Sequence, residues 1–277
     1  TLDRSSAASD VYKRQMHGCA AGRCAQATLH RSFPFLISLP VIAMSSAQPL
    51  ILVPGLLCDA LLWQHQVTGL AGRASCWVPD HTRHDSIAAI ASAILQESPF
   101  PRFALAGLSM GGYIALEIVR QAPERVQRLA LLDTTAAPDS EEAGDIRRAQ
   151  MALWREKGAD AVVEATLPRA VRASAQGDAG LRATIATMAL DTGYDGFVRQ
   201  QTAIMTRIDS RPGLAAIACP TLVLCGREDV LTPPLAHASM ARAIPGSTLV
   251  QVPDAGHLST LEQPEAVTQA LAEWLQR

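Results

Sequence analysis

Short, nearly unbroken apolar runs separated by segments of helical periodicity constrain this chain more than any other feature. Leu50-Ile51-Leu52-Val53 is one such run and stops at Pro54-Gly55. Residues 103–106, 129–132, 221–224 and 248–252 repeat the pattern, and residues 75–78 form a weaker version. A strand wetted on one face alternates apolar and polar residues, whereas a strand apolar throughout is covered on both faces. Residues 87–95, 111–122, 235–243 and 265–275 read as helices between these runs. The second of them carries Ile114, Ala115, Ile118, Val119 and Ala122 on one face and ends at Pro123. The alternation predicts an α/β fold: a doubly wound, mostly parallel sheet of about six strands, with helices on both faces and right-handed crossovers. A ligand site is then expected beyond the carboxyl ends of the strands.

Residues 134–215 interrupt the rhythm. They contain no clear strand but several helical stretches with Met151, Leu153, Trp154, Leu167, Met188, Tyr194, Phe197 and Met205 as apolar members. A helical insertion of this kind is expected to sit over the strand ends as a lid, making residues 44–277 one domain with residues 134–215 inserted as its cap. Residues 1–43 are read separately as a leader. Residues 5–15 resemble a translated sequencing adapter, and the stretch up to Met44 reads as upstream translation. The competing reading is a start at Met16 with a signal peptide cut after Ser45-Ser46-Ala47, against which the long polar lead argues.

Composition narrows the partners. A formal charge of −2 gives no electrostatic case for nucleic acid or an anionic membrane. No apolar run reaches the ~18 residues of a membrane span; the longest candidate, residues 33–43, holds two prolines. The six cysteines form no CxxC pair, which favours reduced thiols and a cytoplasmic location.

The chemistry centres on Gly107-Leu108-Ser109-Met110-Gly111. This G-x-S-x-G sequence lies between a predicted strand and a predicted helix, where a serine on a sharp turn needs small neighbours two residues away on each side. The helix that follows points its dipole and free N–H groups toward a developing oxyanion. Ser109 is the expected nucleophile, and it needs a base. Among seven histidines, His257 alone follows both a late strand and a glycine turn, in Asp254-Ala255-Gly256-His257. The orienting carboxylate is expected at Asp229, after the fifth strand, with Asp133 at the end of the fourth strand as the rival and Glu228 directed elsewhere. Expected oxyanion donors are the amides of Met110 and Leu56, with Leu57 as the alternative to Leu56. Two further motifs weigh less. Residues 80–85, with Asp80, His81, His84 and Asp85, read as a solvated polar loop rather than a metal site. Cys58 reads as an inert buried thiol.

On these residues the chain resembles the α/β-hydrolase superfamily from residue 49 to residue 276. The matching pieces are the Pro54-Gly55-Leu56-Leu57 loop with Trp63 downstream, Gly107 to Gly112, Gly226-Arg227-Glu228-Asp229 with Thr232-Pro233, and Gly256-His257. Many relatives carry His-Gly where this chain has Pro54-Gly55. The likeness is to small single-domain esterases and enol-lactonases with a helical cap. It implies a serine hydrolase acting on a small ester, lactone or related acyl substrate, with no metal or organic cofactor and a small molecule as partner. The same triad also serves acyl transfer and C–C bond hydrolysis, and a non-catalytic ligand-binding protein can retain the fold.

Overall fold

In the computed structural model, the residues described are 47–277. The adapter-like stretch 5–15, the two candidate starts at Met16 and Met44, and most of the signal-peptide reading lie outside them.

Six strands form one parallel sheet: β1 (Gln48–Val53), β2 (Ala74–Trp77), β3 (Phe103–Leu108), β4 (Val126–Leu132), β5 (Thr221–Gly226) and β6 (Thr248–Val252). The order across the sheet is β2-β1-β3-β4-β5-β6. The winding direction reverses between β1 and β3, which creates the crevice at their carboxyl ends where open α/β sheets bind ligands. Register aligns Val53 with Gly107 and Leu108 with Leu132, so the segments leaving β1, β3 and β4 emerge side by side.

The period-two geometry of a strand divides the apolar runs between the two faces. Leu50, Leu52, Ala104, Ala106, Leu222 and Leu224 pack on one side with Trp63, Leu271 and Trp274. Ile51, Val53, Leu105, Leu129, Leu131 and Val223 pack on the other with Ile90, Ile94, Ile114 and Ile118. The flanking helices are α1 (Gln64–Gly69), α2 (Ile87–Glu97), α3 (Met110–Gln121), α7 (Pro234–Ala243), α8 (Ser259–Glu262) and α9 (Pro264–Trp274). Local capping sets the start of α2, where Ser86 Oγ accepts from Ala89 N at 3.2 Å. Trp274 anchors α9 against the sheet, 2 % exposed, its Nε1 donating to Pro220 O at 3.2 Å. Trp274→Ala is expected to lower unfolding free energy by about 3–5 kcal/mol, the usual cost of emptying a buried aromatic site. A shift in the urea midpoint at constant slope measures it.

Between β4 and β5 lie α4 (Glu141–Lys157), α5 (Ala159–Ala170) and α6 (Ala179–Met205), with no strand among them. Gly193, at φ 69 and ψ 166, breaks α6 into two helical halves, a conformation open to glycine without steric penalty. Trp154, Val162, Val163, Ala189 and Phe197 form a separate apolar cluster, and Leu56 and Leu57 from the loop after β1 pack against it. Four of the apolar members read from the sequence, Trp154, Leu167, Met188 and Phe197, are buried. No helix among the described residues is long and apolar enough to cross a membrane.

Candidate active site

Ser109 occupies the turn between β3 and α3 with φ 55 and ψ −115, outside the comfortable range of a residue bearing a side chain. The surroundings hold it there: Ser109 N donates to Leu132 O at 3.0 Å, and Ser109 O accepts from Gly112 N and from Thr134 Oγ1. The flanking glycines are required by close approach. A Cβ on Gly107 would come within 2.1 Å of Gly111 O, and one on Gly111 within 2.1 Å of Val53 O. The turn therefore packs directly onto the end of β1.

His257 comes from the loop after β6. Gly256 N and Arg172 N each donate to a different carboxylate oxygen of Glu262, both at 2.9 Å, and Leu258 N donates to Ala170 O. The histidine loop is thereby tied to the end of α5. Its imidazole Nε2 lies 2.9 Å from Ser109 Oγ. Its Nδ1 lies 2.9 Å from Asp229 Oδ2. Asp229 is fixed in turn: Oδ1 accepts from Leu231 N and Thr232 N at 2.8 and 2.9 Å, and Oδ2 accepts from Thr232 Oγ1 at 2.6 Å. Burial opposes charge on the His257 ring, but the Asp229 charge and hydrogen bond outweigh it and hold the imidazole pKa above its ordinary value. Burial likewise opposes ionisation of Asp229, and His257 and Thr232 outweigh it, holding the carboxyl below its ordinary value.

Asp133, the rival acid, sits fully buried at φ 45 beside these groups. Its Oδ1 accepts from Gly226 N, and its Oδ2 accepts from Ser259 Oγ. Both oxygens are thus turned to the β5 end and to α8, while Asp229 takes the contact with His257. Burial, reinforced by the Asp229 charge, pushes the Asp133 carboxyl up to about 8. Glu228 is exposed. Of the oxyanion candidates, Met110 is the first residue of α3, where backbone N–H groups lack partners within the helix. Leu57 N–H donates to Gln200 Oε1 at 3.1 Å, whereas Leu56 N–H meets no acceptor among the described residues. Cys58 is buried, and burial, with the Asp59 charge second, pushes its thiol up to about 12.

One expectation is corrected. The loop of residues 80–85 does not leave His81 in solvent: the ring is 2 % exposed, with Nε2 3.0 Å from Gly55 O. It lies behind the loop after β1, beside a carbonyl that also accepts from Cys58 N at 3.2 Å. No group of three or more metal-ligating side chains occurs among the described residues. Thr134, Thr232, His237 and Gln200 were given no site role from the sequence. Thr134 N donates to His237 Nε2 at 2.8 Å, and burial pushes that histidine down to about 4. Gln200 had one legible signal, a polar residue between Phe197 and Ile204 on the apolar stripe of a helix.

A doubly wound parallel sheet with a strained serine turn after β3, and a histidine and a carboxylate delivered by later loops, defines an enzyme of the α/β-hydrolase class. The sequence profile of the α/β-hydrolase fold matches residues 48–264, and the chain belongs to that family. Among its relatives, a proposed carbamate hydrolase, RutD, of Klebsiella pneumoniae subsp. pneumoniae is 30% identical over 187 residues, covering 65% of this chain and 68% of that protein. Among solved structures, a thermophilic esterase from Thermogutta terrifontis is 34% identical with a TM-score of 0.76, covering 83% of this chain and 90% of its own. The enol-lactonase of Burkholderia xenovorans LB400 is 26% identical with a TM-score of 0.75, covering 83% and 92% respectively.

Proposed function

We propose that this chain is a serine hydrolase that cleaves a small ester, lactone or related acyl substrate through an acyl-enzyme intermediate. The observation that carries the reading is the unbroken chain of contacts from Ser109 Oγ through His257 to Asp229, 2.9 Å at each link. His257 Nε2 takes the Ser109 proton as Oγ attacks the acyl carbon. The tetrahedral oxyanion is held by the Met110 and Leu56 amides. His257 then protonates the leaving oxygen, and a water activated by the same ring releases the acyl group. The scheme calls on no metal or organic cofactor. The esterase and the enol-lactonase named above support acyl chemistry of this kind.

Helices α4–α6 act as the lid. The apolar cluster they form with Leu56 and Leu57 favours a small, mostly apolar acyl or alcohol group and a small molecule as partner. The reduced thiols read from the sequence favour a cytoplasmic location.

A fluorophosphonate probe tests the nucleophile: one equivalent is expected on Ser109, located by mass spectrometry. Labelling at another residue, or none, removes the reading. Added alcohol acceptors should leave the acid as the main product; an ester product would assign acyl transfer instead. The pH dependence follows from the raised His257 pKa. The base must be neutral to accept the serine proton, so kcat/KM should fall as pH drops through a value above that of a free imidazole. An acid limb centred below pH 6 would contradict the Asp229–His257 coupling.

A further inference from the structure

The loop after β1 is closed by one backbone turn bond of its own, Cys58 N to Gly55 O at 3.2 Å, and is otherwise held from outside. Leu57 sits at φ 59, a left-handed conformation unfavourable for a branched apolar residue. Two segments far away in sequence clamp it. Gln200, from α6 of the insertion and 0 % exposed, accepts from Leu57 N through Oε1 at 3.1 Å. That bond orients the amide, so the Gln200 NH2 faces His81 Nε2 at 3.0 Å. The same imidazole nitrogen lies 3.0 Å from Gly55 O. Burial keeps His81 below its ordinary pKa and hence neutral. A single nitrogen either accepts from Gln200 or donates to Gly55, so the tautomer sets which contact is the hydrogen bond. The neighbouring Arg199 Nε donates to Thr82 O at 2.7 Å, docking α6 against the segment that carries His81.

We propose that Gln200 and His81 are positioning residues that hold residues 55–57 in the shape needed for oxyanion binding, and that docking of α6 therefore completes the oxyanion hole. With Leu57 N–H engaged, Leu56 N–H meets no acceptor among the described residues and is available as a donor. Without Gln200, the part-buried Leu57 N–H loses its partner, and the loop relaxes away from its left-handed turn. The inference rests on the reading of Ser109 as nucleophile and Leu56 N–H as oxyanion donor.

The test compares wild type with Gln200→Met, similar in length but without the acceptor. Both are assayed on p-nitrophenyl butyrate, with active sites counted by exhaustive fluorophosphonate labelling. A misplaced oxyanion donor acts in the transition state, so kcat per labelled site should fall about 100-fold while KM moves no more than about threefold. Affinity for a trifluoromethyl ketone, which forms an anionic tetrahedral adduct, should fall in proportion to kcat/KM. The acid limb of the pH profile should stay in place, because His257 and Asp229 are untouched. If Gln200→Met yields no folded protein, Gln200→Asn, one methylene short of Leu57, is used with the same expectations. A kcat per labelled site within about threefold of wild type, or a loss confined to KM, overturns the inference. Absence of wild-type labelling at Ser109 overturns the underlying reading itself.

Discussion

Ser109→Ala is expected to lower kcat by about 10⁴- to 10⁶-fold while leaving the fold and the affinity for substrate nearly intact. The turn that carries the residue is held by its backbone. Ser109 N bonds to Leu132 O and Ser109 O to Gly112 N and Thr134 Oγ1, so none of these bonds depends on the hydroxyl. What disappears is the hydroxyl placed 2.9 Å from the imidazole Nε2. The oxyanion donors and the binding surface survive, so the residual rate should still exceed that of water. Steady-state kinetics on freshly purified variant, with loss of fluorophosphonate labelling in parallel, measure the effect. Activity above about one hundredth of wild type would mean that another group attacks the substrate.

The second large effect separates two buried aspartates. Asp229→Asn should lower kcat by about 10³- to 10⁴-fold, since an amide neither stabilises the imidazolium nor enforces the tautomer with Nε2 free to accept. Asp133→Asn should keep activity within about tenfold, although Asp133 is the more deeply buried of the two. Its carboxyl is pushed up to about 8 and so is mainly protonated at neutral pH. A neutral amide is close to isosteric with it. The amide oxygen can accept from Gly226 N, its NH2 can donate to Ser259 Oγ, and asparagine tolerates the φ of 45 observed there. Equal losses in both variants would show that the acid assignment is wrong.

Much of this was legible without coordinates. The four inner strands were readable because a parallel strand covered on both faces cannot hide its composition, whereas the edge strands β2 and β6 are partly exposed. β4 begins at Val126, three residues before the apolar run, because Gln127 and Arg128 are only half-buried at the sheet margin and break the signal. The helix α1 was missed for a different reason. Its six residues, Gln64–Gly69, have too little periodicity to declare themselves. They are held by tertiary bonds such as Gln66 Nε2 to Thr260 O, across 194 residues.

The sequence by itself determined the family, the strained serine turn and the order serine, aspartate, histidine. Each of these is written in local chemistry: apolar runs, glycines that must approach backbone closely, and polar residues just past strand ends. Only the tertiary structure decided which aspartate meets the imidazole, because Asp133 and Asp229 both follow strands and a contact of 2.9 Å depends on sheet register and loop path. It also decided that His81 belongs to the interior and that Gln200 reaches Leu57. Those pairings join segments more than a hundred residues apart, and a hydrogen bond in a dry interior is specified by where the chain brings its ends together rather than by anything adjacent in sequence.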